Sequence, residues 1–286
     1  MTITGPLWLV VNTASGSYSA DSADRLQACC GAANAGVEIV RTINFPDEEL
    51  PSAKDLDAAG VRVLAVFTGD GTLNAAITRL EDWSGAVLPL PGGTMNLLSK
   101  RLHGDQDAES ILTRLCQGKA RAVRPLVGTT THGTALVGLL AGPGTVWNVV
   151  REALRESDVP GIVTGTAEAI AETYEGPNVH LVEPDAGRED GYPLIEITPT
   201  GEGLRVKGYY AESIADFLSQ GAALLRRNFR EGPHDDLGLF RQITLRQTDG
   251  TPIDLLLDGE PVEGGTQEVF GLAPSRVDLL ATGHDD

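Results

Sequence analysis

A single carboxylate stands between two glycines in the segment VFTGDGTLNAA, residues 66–76. The apolar residues before this point predict a buried strand, and the residues that follow Thr72 have the spacing of an amphipathic helix. Glycines let a ligand approach the backbone closely, and the first turn of a helix offers free N–H groups to an anion. Because a carboxylate repels phosphate, we expect Asp70 either to contact Mg²⁺ bound to phosphate groups or to take a proton from an attacking hydroxyl.

The same segment also has an interpretation that involves no chemistry. Asp-Gly is a frequent turn, and Asp70 is at a suitable position to cap the helix that follows it. The tetrapeptide alone therefore leaves a ligand site and a capped turn both open.

Two other turns have a similar composition. In VVNTASGS a predicted strand ends at Asn12, and in LPLPGGTMN a predicted strand ends in a glycine turn before Asn96 opens a helix. Each turn alone is compatible with an ordinary capped connection between a strand and a helix. In a parallel sheet the carboxyl ends of the strands meet at one edge, where three such turns would surround a phosphate chain. The sequence contains no G-x-x-x-x-G-K-[ST], no G-x-S-x-G and no H-E-x-x-H, and no G-x-G-x-x-G follows the first strand.

The elements that must hold these turns alternate along the first part of the chain. Short apolar strands are predicted at residues 7–12, 37–42, 61–68 and 86–93, with helices between and after them. Strands that alternate with helices are typical of a parallel sheet with helices on both faces.

The pattern changes near residue 123, where strand-like segments with hairpin turns begin to dominate. Helices are predicted among them at residues 145–157, 162–174 and 212–227. We predict an α/β fold with a doubly wound nucleotide-binding domain at residues 1–122. A second, mainly antiparallel β domain with helices is predicted at residues 123–286, and its last strand is free to return to the first domain.

The bulk properties of the chain argue against several classes of function. A formal charge of −18 disfavours a nucleic-acid partner. Basic residues at Lys100–Arg101 and between Lys119 and Arg124 are interpreted as solvated faces. No apolar stretch approaches the roughly 20 residues of a membrane span, and the N-terminal segment is predicted to be a strand, not a signal peptide. Three cysteines, two of them adjacent, fit reduced thiols and a cytoplasmic location.

The sequence resembles the diacylglycerol kinase catalytic-domain family at three segments taken together: Asn12 to Gly16, Gly69 to Thr72 and Pro91 to Asn96. That family includes bacterial diacylglycerol kinases, sphingosine kinases and related lipid kinases, and its motifs are N-P-x-S-G, G-G-D-G-T and P-x-G-T-x-N. A fourth family motif, D-G-E, matches the residues from Asp258 to Glu260. The resemblance implies ATP and Mg²⁺ as cofactors, transfer of the γ-phosphoryl group to a lipid hydroxyl, and substrate in the cleft between the two domains.

The resemblance also implies a role for each matching residue. The nucleotide and its phosphates would contact Asn12, Thr13, Ala14, Ser15, Gly16, Thr42, Thr68, Gly69, Gly71, Thr72, Asn74, Gly93, Thr94 and Asn96. Thr42 is taken to end the second strand. Glu260 would accept the hydroxyl proton, although its local sequence is equally compatible with an exposed hairpin turn. Asp70 and Asp258 would complete the catalytic set by contacting the metal ion or the substrate hydroxyl, with Asp70 as the metal ligand.

Four positions depart from the family pattern, because Thr13, Thr68, Ala75 and Arg124 replace a family proline, glycine, glutamate and metal-linked aspartate. NAD kinases and phosphofructokinases share the G-G-D-G-T turn, so an NAD kinase-like enzyme stays open, as does a nucleotide- or lipid-binding relative without turnover. The segment PGGTMN favours the lipid kinases. The expected partners are a lipid substrate and transient membrane contact with little stable binding to anionic vesicles. A homodimer is left open, and no nucleic acid is expected.

Overall fold

The structure, a computed structural model, describes residues 5–15, 20–33, 36–93, 95–142, 177–209 and 234–283. The chain divides into two compact units, the first comprising Met1–Pro125 with Pro274–Asp286 and the second comprising Leu126–Ala273. The first boundary follows Pro125 and not residue 122, and the end of the chain belongs to the first unit. The three helices predicted at residues 145–157, 162–174 and 212–227 lie outside the described residues.

The described strands follow one another along both units. In chain order they are β1 (Gly5–Asn12), β2 (Val37–Phe45), β3 (Val63–Thr68), β4 (Ala86–Pro91), β5 (Arg121–Val123), β6 (Leu126–Thr130), β7 (Gly133–Ala135), β8 (Leu139–Gly142), β9 (Val179–Glu183), β10 (Asp185–Ala186), β11 (Leu194–Pro199), β12 (Leu204–Tyr209), β13 (His234–Phe240), β14 (Ile243–Gln247), β15 (Asp254–Leu257), β16 (Glu260–Glu263), β17 (Gln267–Pro274) and β18 (Asp278–Ala281).

The described helices all lie in the first unit. They are α1 (Ala20–Ala33), α2 (Ala53–Ala58), α3 (Asp70–Arg79), α4 (Leu97–His103) and α5 (Ala108–Cys116). Helix α3 begins at Asp70, two residues earlier than expected, because Gly69 takes the extended conformation of a helix cap. Among the described helices, none combines the length and the apolar composition that crossing a bilayer requires.

A six-stranded sheet forms the centre of the first unit, in the order β2-β1-β3-β4-β18-β5. The first five of these strands are parallel, and only β5 runs antiparallel to its neighbour β18. Val11 lies opposite Phe67, and Thr68 lies opposite Pro91. The turns after β1, β3 and β4 therefore leave the sheet at the same edge.

Both faces of this sheet are covered, as expected for strands that are apolar at nearly every position. Helices α1 and α5 pack on one face, where Leu26 and Ile111 join a core that includes Leu9 and Leu88. The alternate strand residues, such as Val66, are buried as well, and α3 and α4 contact β3 and β4.

The second unit contains two six-stranded sheets, ordered β10-β9-β14-β17-β6-β7 and β13-β12-β11-β8-β15-β16. In the second of these sheets every neighbouring pair is antiparallel. The core of the second unit receives side chains from both sheets and from the segment before β11. It includes Tyr192, Ile195, Leu245 and Phe270. Hairpins with one buried face account for the alternating sequence pattern of this part of the chain.

Candidate functional site

The turns after β1, β3 and β4 are joined by direct contacts, and we call the set formed by residues 12–15, 68–72, 92–93 and Asn96 the three-turn rim. The side-chain amide of Asn12 donates to the hydroxyl of Thr72 at 3.0 Å. The hydroxyl of Ser15 donates to the carbonyl of Gly92 at 3.1 Å. The first turn is thus bonded to each of the other two.

The glycines of the three-turn rim are required by the close approach of its backbones. A Cβ atom added at Gly93 would lie 2.5 Å from the Cα atom of Gly69, and one added at Gly92 would lie 2.6 Å from the backbone nitrogen of Thr68. Real Cβ atoms do not come this close to backbone atoms. The glycine turns therefore bring the ends of β3 and β4 into contact.

The N-terminus of α3 opens onto the three-turn rim without a side-chain cap. Gly69 is the cap residue, with φ −74° and ψ 168°, and the first backbone bond of the helix runs from Leu73 to the Gly69 carbonyl at 3.1 Å. The N–H groups of Asp70, Gly71 and Thr72 have no hydrogen-bond partner among the described residues. Three such N–H groups at the positive end of a helix dipole form a suitable site for an anion.

The carboxylate of Asp70 caps α4, a different helix from the one that the sequence suggested. One oxygen accepts the Leu97 N–H at 3.1 Å, and the other accepts the Leu98 N–H at 3.3 Å. Asn96, the residue before α4, has a left-handed φ of 52°, and its side chain bonds back to the N–H and carbonyl of Gly93 at 2.7 Å each. Because Asn96 is engaged in this way, Asp70 supplies the cap.

Asp70 occupies an environment that opposes its ionisation. Burial raises the pKa of Asp70, and this effect exceeds the lowering of the pKa by the Leu97 and Leu98 N–H groups and by the positive charge of Lys100. The carboxylate is stable in this position because it faces the positive end of the α4 dipole.

The fit of a metal ion to the three-turn rim differs from that of a phosphate group. The described residues contain no group of three or more His, Cys, Asp or Glu side chains that could hold a metal. Asp70 would be the carboxylate ligand of such an ion, but both of its oxygens already accept N–H groups from the start of α4. The free N–H groups of α3 therefore fit a phosphate, whereas a Mg²⁺ ion would depend on the phosphates for most of its ligands. The metal-ligand role of Asp70 stays a prediction.

In the second unit, the D-G-E residues form a tight hairpin between β15 and β16. Asp258 and Gly259 both have positive φ values, of 49° and 94°, as a two-residue type I′ turn requires. The Asp258 carboxylate accepts three consecutive backbone N–H groups, from Leu136 at 2.7 Å, Val137 at 2.9 Å and Gly138 at 3.0 Å. The structure thus gives this carboxylate a backbone-anchoring contact that the sequence did not suggest.

Glu260 is the first residue of β16 and lies opposite Leu257. It is exposed, as the simple hairpin interpretation predicts, and its side-chain carboxylate forms no hydrogen bond or ion pair with a described residue. A free carboxylate on an anchored turn has the chemical properties of a proton acceptor.

The family comparison matches residues 6–127 with the diacylglycerol kinase catalytic domain. Over these residues the chain is similar to that catalytic domain, in agreement with the resemblance of the short motifs. The match spans β1 to β5 and the whole three-turn rim. A comparison with curated proteins gave no match.

Several solved structures from Bacillus anthracis strain Sterne have a similar fold. A candidate diacylglycerol kinase has 16% identity and a TM-score of 0.62, with 98% of this chain and 96% of the other covered. A protein named as a diacylglycerol kinase has 14% identity and a TM-score of 0.59, with 97% and 96% covered. A second candidate diacylglycerol kinase has 17% identity and a TM-score of 0.60, with 96% of each chain covered. At this identity the likeness concerns the fold, a mixed α/β arrangement of parallel and antiparallel sheets.

Most of the residues that match the diacylglycerol kinase motifs lie at the three-turn rim. Thr13 replaces the family proline, and its N–H and hydroxyl both donate to the Phe45 carbonyl, at 2.9 and 3.2 Å. The Ala14 N–H donates to the Asn12 side chain at 2.9 Å. The hydroxyl of Thr68, which replaces the first family glycine, donates to the Gly69 carbonyl at 3.1 Å. These two replacements keep the turns bonded.

Other residues that the resemblance assigned to the nucleotide lie away from the three-turn rim or outside the described residues. Thr42 does not end β2, because the strand continues to Phe45, which pairs with Asn12. Thr42 instead lies opposite Leu9, inside the sheet, and the prediction that it ends the strand is wrong. Asn74 lies in the first turn of α3 and accepts the Thr78 hydroxyl at 3.2 Å. Gly16 and Thr94 lie outside the described residues.

Arg124 is at the position where the resemblance led us to expect an aspartate. Its guanidinium forms an ion pair with Asp278 at 2.6 Å, so that it links the end of β5 to the start of β18. An arginine cannot take the place of a metal-linked carboxylate. At this position the protein has a cation that holds two strands of the first unit together.

Proposed function

We propose that this protein is an ATP-dependent kinase that transfers the γ-phosphoryl group of MgATP to the hydroxyl of a lipid of the diacylglycerol or sphingoid class. The observation that carries the proposal is the first turn of α3, where three consecutive N–H groups have no partner among the described residues. They lie beside the contact between Gly69 and Gly93, two residues that have no side chain of their own.

In the proposed reaction the first unit binds the nucleotide. The N–H groups of Asp70, Gly71 and Thr72 hold phosphate oxygens, and the bonds from Asn12 and Ser15 keep the three turns in register. Asp70 would be the protein ligand of a Mg²⁺ ion carried by these phosphates, and the ion would supply neutralisation of the charge that develops on them. Phosphoryl transfer depends mainly on such positioning and charge stabilisation.

The second unit supplies the proton acceptor in this proposal. Glu260 takes the proton from the lipid hydroxyl as its oxygen forms a bond to the γ-phosphorus, and the bond between that phosphorus and the bridging oxygen of ADP breaks. Support for the assignment is the exposed, unpaired state of Glu260 among the described residues and the anchoring of its turn by Asp258.

The acceptor is tested by transfer of labelled γ-phosphate from MgATP to diacylglycerol, sphingoid bases, a total bacterial lipid extract and NAD. We expect label in a lipid. Label in NAD instead would favour the NAD kinase-like alternative. The absence of label from every acceptor, with the protein folded and ATP bound, would favour a binding protein without turnover.

Three further properties belong to this proposal and await their own tests. A lipid kinase must reach its substrate, so contact with the membrane is expected to be transient. A cytoplasmic location and a homodimer are proposed on the sequence alone. Analytical ultracentrifugation over a range of concentrations would detect the dimer.

A further inference from the structure

The first unit contains a second polar cavity, which involves none of the nucleotide motifs. Its volume is about 500 Å³, and it is bordered by α4, α5, β5 and the end of β18. We call it the basic cavity, because its lining includes the cationic side chains of Lys100, Arg101, Arg114 and Arg121. No acidic residue is among the described residues that line it. Four cations around one cavity are unusual in a chain of net charge −18.

One buried nitrogen atom at the basic cavity has no hydrogen-bond partner among the described residues. It is Nε of Arg114 on α5. Arg101 and Arg121 have other partners in the protein, so the Arg114 guanidinium is the group with a donor left over. A buried N–H group without a partner costs free energy, which a ligand oxygen would recover.

His103, at the end of α4, lines the basic cavity with a ring that the protein already holds by hydrogen bonds. The ring is 1% exposed, and its Nδ1 accepts the Thr282 N–H at 3.2 Å. Burial lowers the pKa of His103 to about 4, the hydrogen bond of the ring to the Pro89 carbonyl raises the pKa by a smaller amount, and the charge of Arg114 lowers it slightly further. The ring is therefore neutral at pH 7 and adds no charge to the basic cavity.

We propose that the basic cavity binds the phosphate group of a second ligand, separate from the nucleotide. A guanidinium suits this role because its planar set of donors matches the oxygens of a phosphate, and Lys100 and Arg101 add positive charge nearby. The cavity is larger than a phosphate ion, so the ligand carries a small organic group as well. A soluble phosphorylated compound and the headgroup of a phospholipid share this chemistry.

The first test is calorimetric titration of the full-length chain with inorganic phosphate and with glycerol 3-phosphate, in the presence and absence of saturating ADP. We expect binding that ADP does not abolish and that Arg114→Gln weakens at least about tenfold, the effect of losing one charge-assisted hydrogen bond. Arg62→Gln is the matched control, because Arg62 is an exposed arginine of the same unit that bonds to Ser84. Equal weakening by both variants, or no binding by the unmodified chain, would overturn the proposal.

A second variant guards against misfolding of Arg114→Gln. Arg101 is exposed, so Arg101→Gln is expected to fold normally, as checked by circular dichroism and thermal unfolding. It should weaken phosphate binding by about threefold, because it removes one charge near the ligand. If the folded Arg101→Gln and Arg114→Gln variants both bind phosphate as tightly as the unmodified chain, the basic cavity is not the site.

A third measurement distinguishes the two sources of phosphate. The chain is sedimented with phosphatidylcholine vesicles that contain or lack phosphatidic acid, a lipid with a phosphomonoester headgroup. Co-sedimentation that requires phosphatidic acid and is lost in Arg114→Gln would identify a lipid ligand. Binding of glycerol 3-phosphate without co-sedimentation would identify a soluble one. These binding measurements do not depend on kinase activity, so they can be interpreted even if the protein transfers no phosphoryl group.

Discussion

Asp70 and Asp258 each precede a glycine, and each directs its carboxylate at consecutive backbone N–H groups of a distant segment. Asp70 binds the start of α4, whereas Asp258 binds residues 136–138. An asparagine would keep the size of the side chain but lose one acceptor oxygen and the negative charge. Replacement by asparagine therefore separates the anchoring role from simple packing.

We expect Asp258→Asn to lower the free energy of unfolding by about 1–3 kcal/mol, because at least one buried N–H group would lose its acceptor. Asp249→Asn is the control, since Asp249 is an exposed turn aspartate whose side chain accepts hydrogen bonds from nearby Thr251. Urea unfolding of both variants measures the difference. Equal effects of the two replacements would show that Asp258 does not anchor residues 136–138.

Glu260 and Glu263 are exposed carboxylates on the same strand, β16, which makes them a matched pair. If Glu260 is the proton acceptor, Glu260→Gln should reduce phosphoryl transfer by about 10²–10⁴-fold while ATP binding is retained. Glu263→Gln makes the same change of charge and should leave the rate within about twofold. Initial rates of phosphoryl transfer from labelled MgATP measure both effects. Full activity of Glu260→Gln would show that Glu260 is not the proton acceptor.

His103 should make stability depend on pH. Its pKa is about 4 in the folded chain, well below the ordinary value of 6.5, because the ring is buried and lies near the charge of Arg114. Between these values the unfolded chain binds a proton that the folded chain does not, so stability is lost as the pH falls from about 6.5 to about 4. The expected loss is about 3 kcal/mol.

The contribution of His103 is measured by comparing urea unfolding of the unmodified chain and His103→Gln at several pH values between 4 and 7. The glutamine variant should show a shallower decline in stability, because a glutamine side chain at position 103 does not titrate. Parallel curves for the two proteins would contradict the prediction.

At the scale of the elements, the contact between the turns after β3 and β4 can be tested with one methyl group. Gly93→Ala would place a Cβ atom 2.5 Å from the Gly69 backbone, whereas Gly69→Ala would meet Gly93 at an ordinary 3.7 Å. We expect Gly93→Ala to cost about 1–3 kcal/mol of stability and to weaken ATP binding, because the backbones must separate.

Gly69→Ala is the matched control for this experiment, and its cost should be smaller, since it changes only the preference of a cap residue. Thermal unfolding and ATP titration of both variants provide the measurements. A Gly69→Ala variant that is less stable than Gly93→Ala would show that the three-turn rim is not packed as described.

Local sequence was sufficient for the strands and for the glycine turns of the three-turn rim, because apolar runs and glycines act over a few residues. It was insufficient for the partner of Asp70. That contact depends on the left-handed conformation of Asn96, which leaves α4 without its own cap. It was also insufficient for the end of β2, which is set by the pairing of Phe45 with Asn12.

The basic cavity could not be predicted from sequence for a related reason. Its cations come from α4, α5 and β5, so no window of the sequence contains them together. In the sequence Lys100 and Arg101 are ordinary residues of a solvated helix face. Only the tertiary fold brings them beside Arg114, whose Nε atom has no described partner.

At the scale of the whole molecule, the first unit is built from two separate parts of the chain. Strand β18 lies between β4 and β5, and Leu279 is fully buried there. Leu279→Ala should therefore lower the free energy of unfolding by about 2–5 kcal/mol. Val40→Ala is the control, because Val40 on β2 is 51% exposed and its truncation should have little effect. Chemical denaturation measures both, and a mild effect at Leu279 would mean that β18 is dispensable.

The position of β18 has a consequence for the synthesis of the protein. A growing chain on the ribosome carries β1 to β5 long before residues 278–281 exist, so β4 lacks a neighbour on one side throughout translation of the second unit. An unpaired strand edge is a template for pairing with other nascent chains. Premature termination anywhere before Asp278 would leave that edge open permanently, so truncated products of this gene should be recovered as aggregates and not as a folded nucleotide-binding fragment.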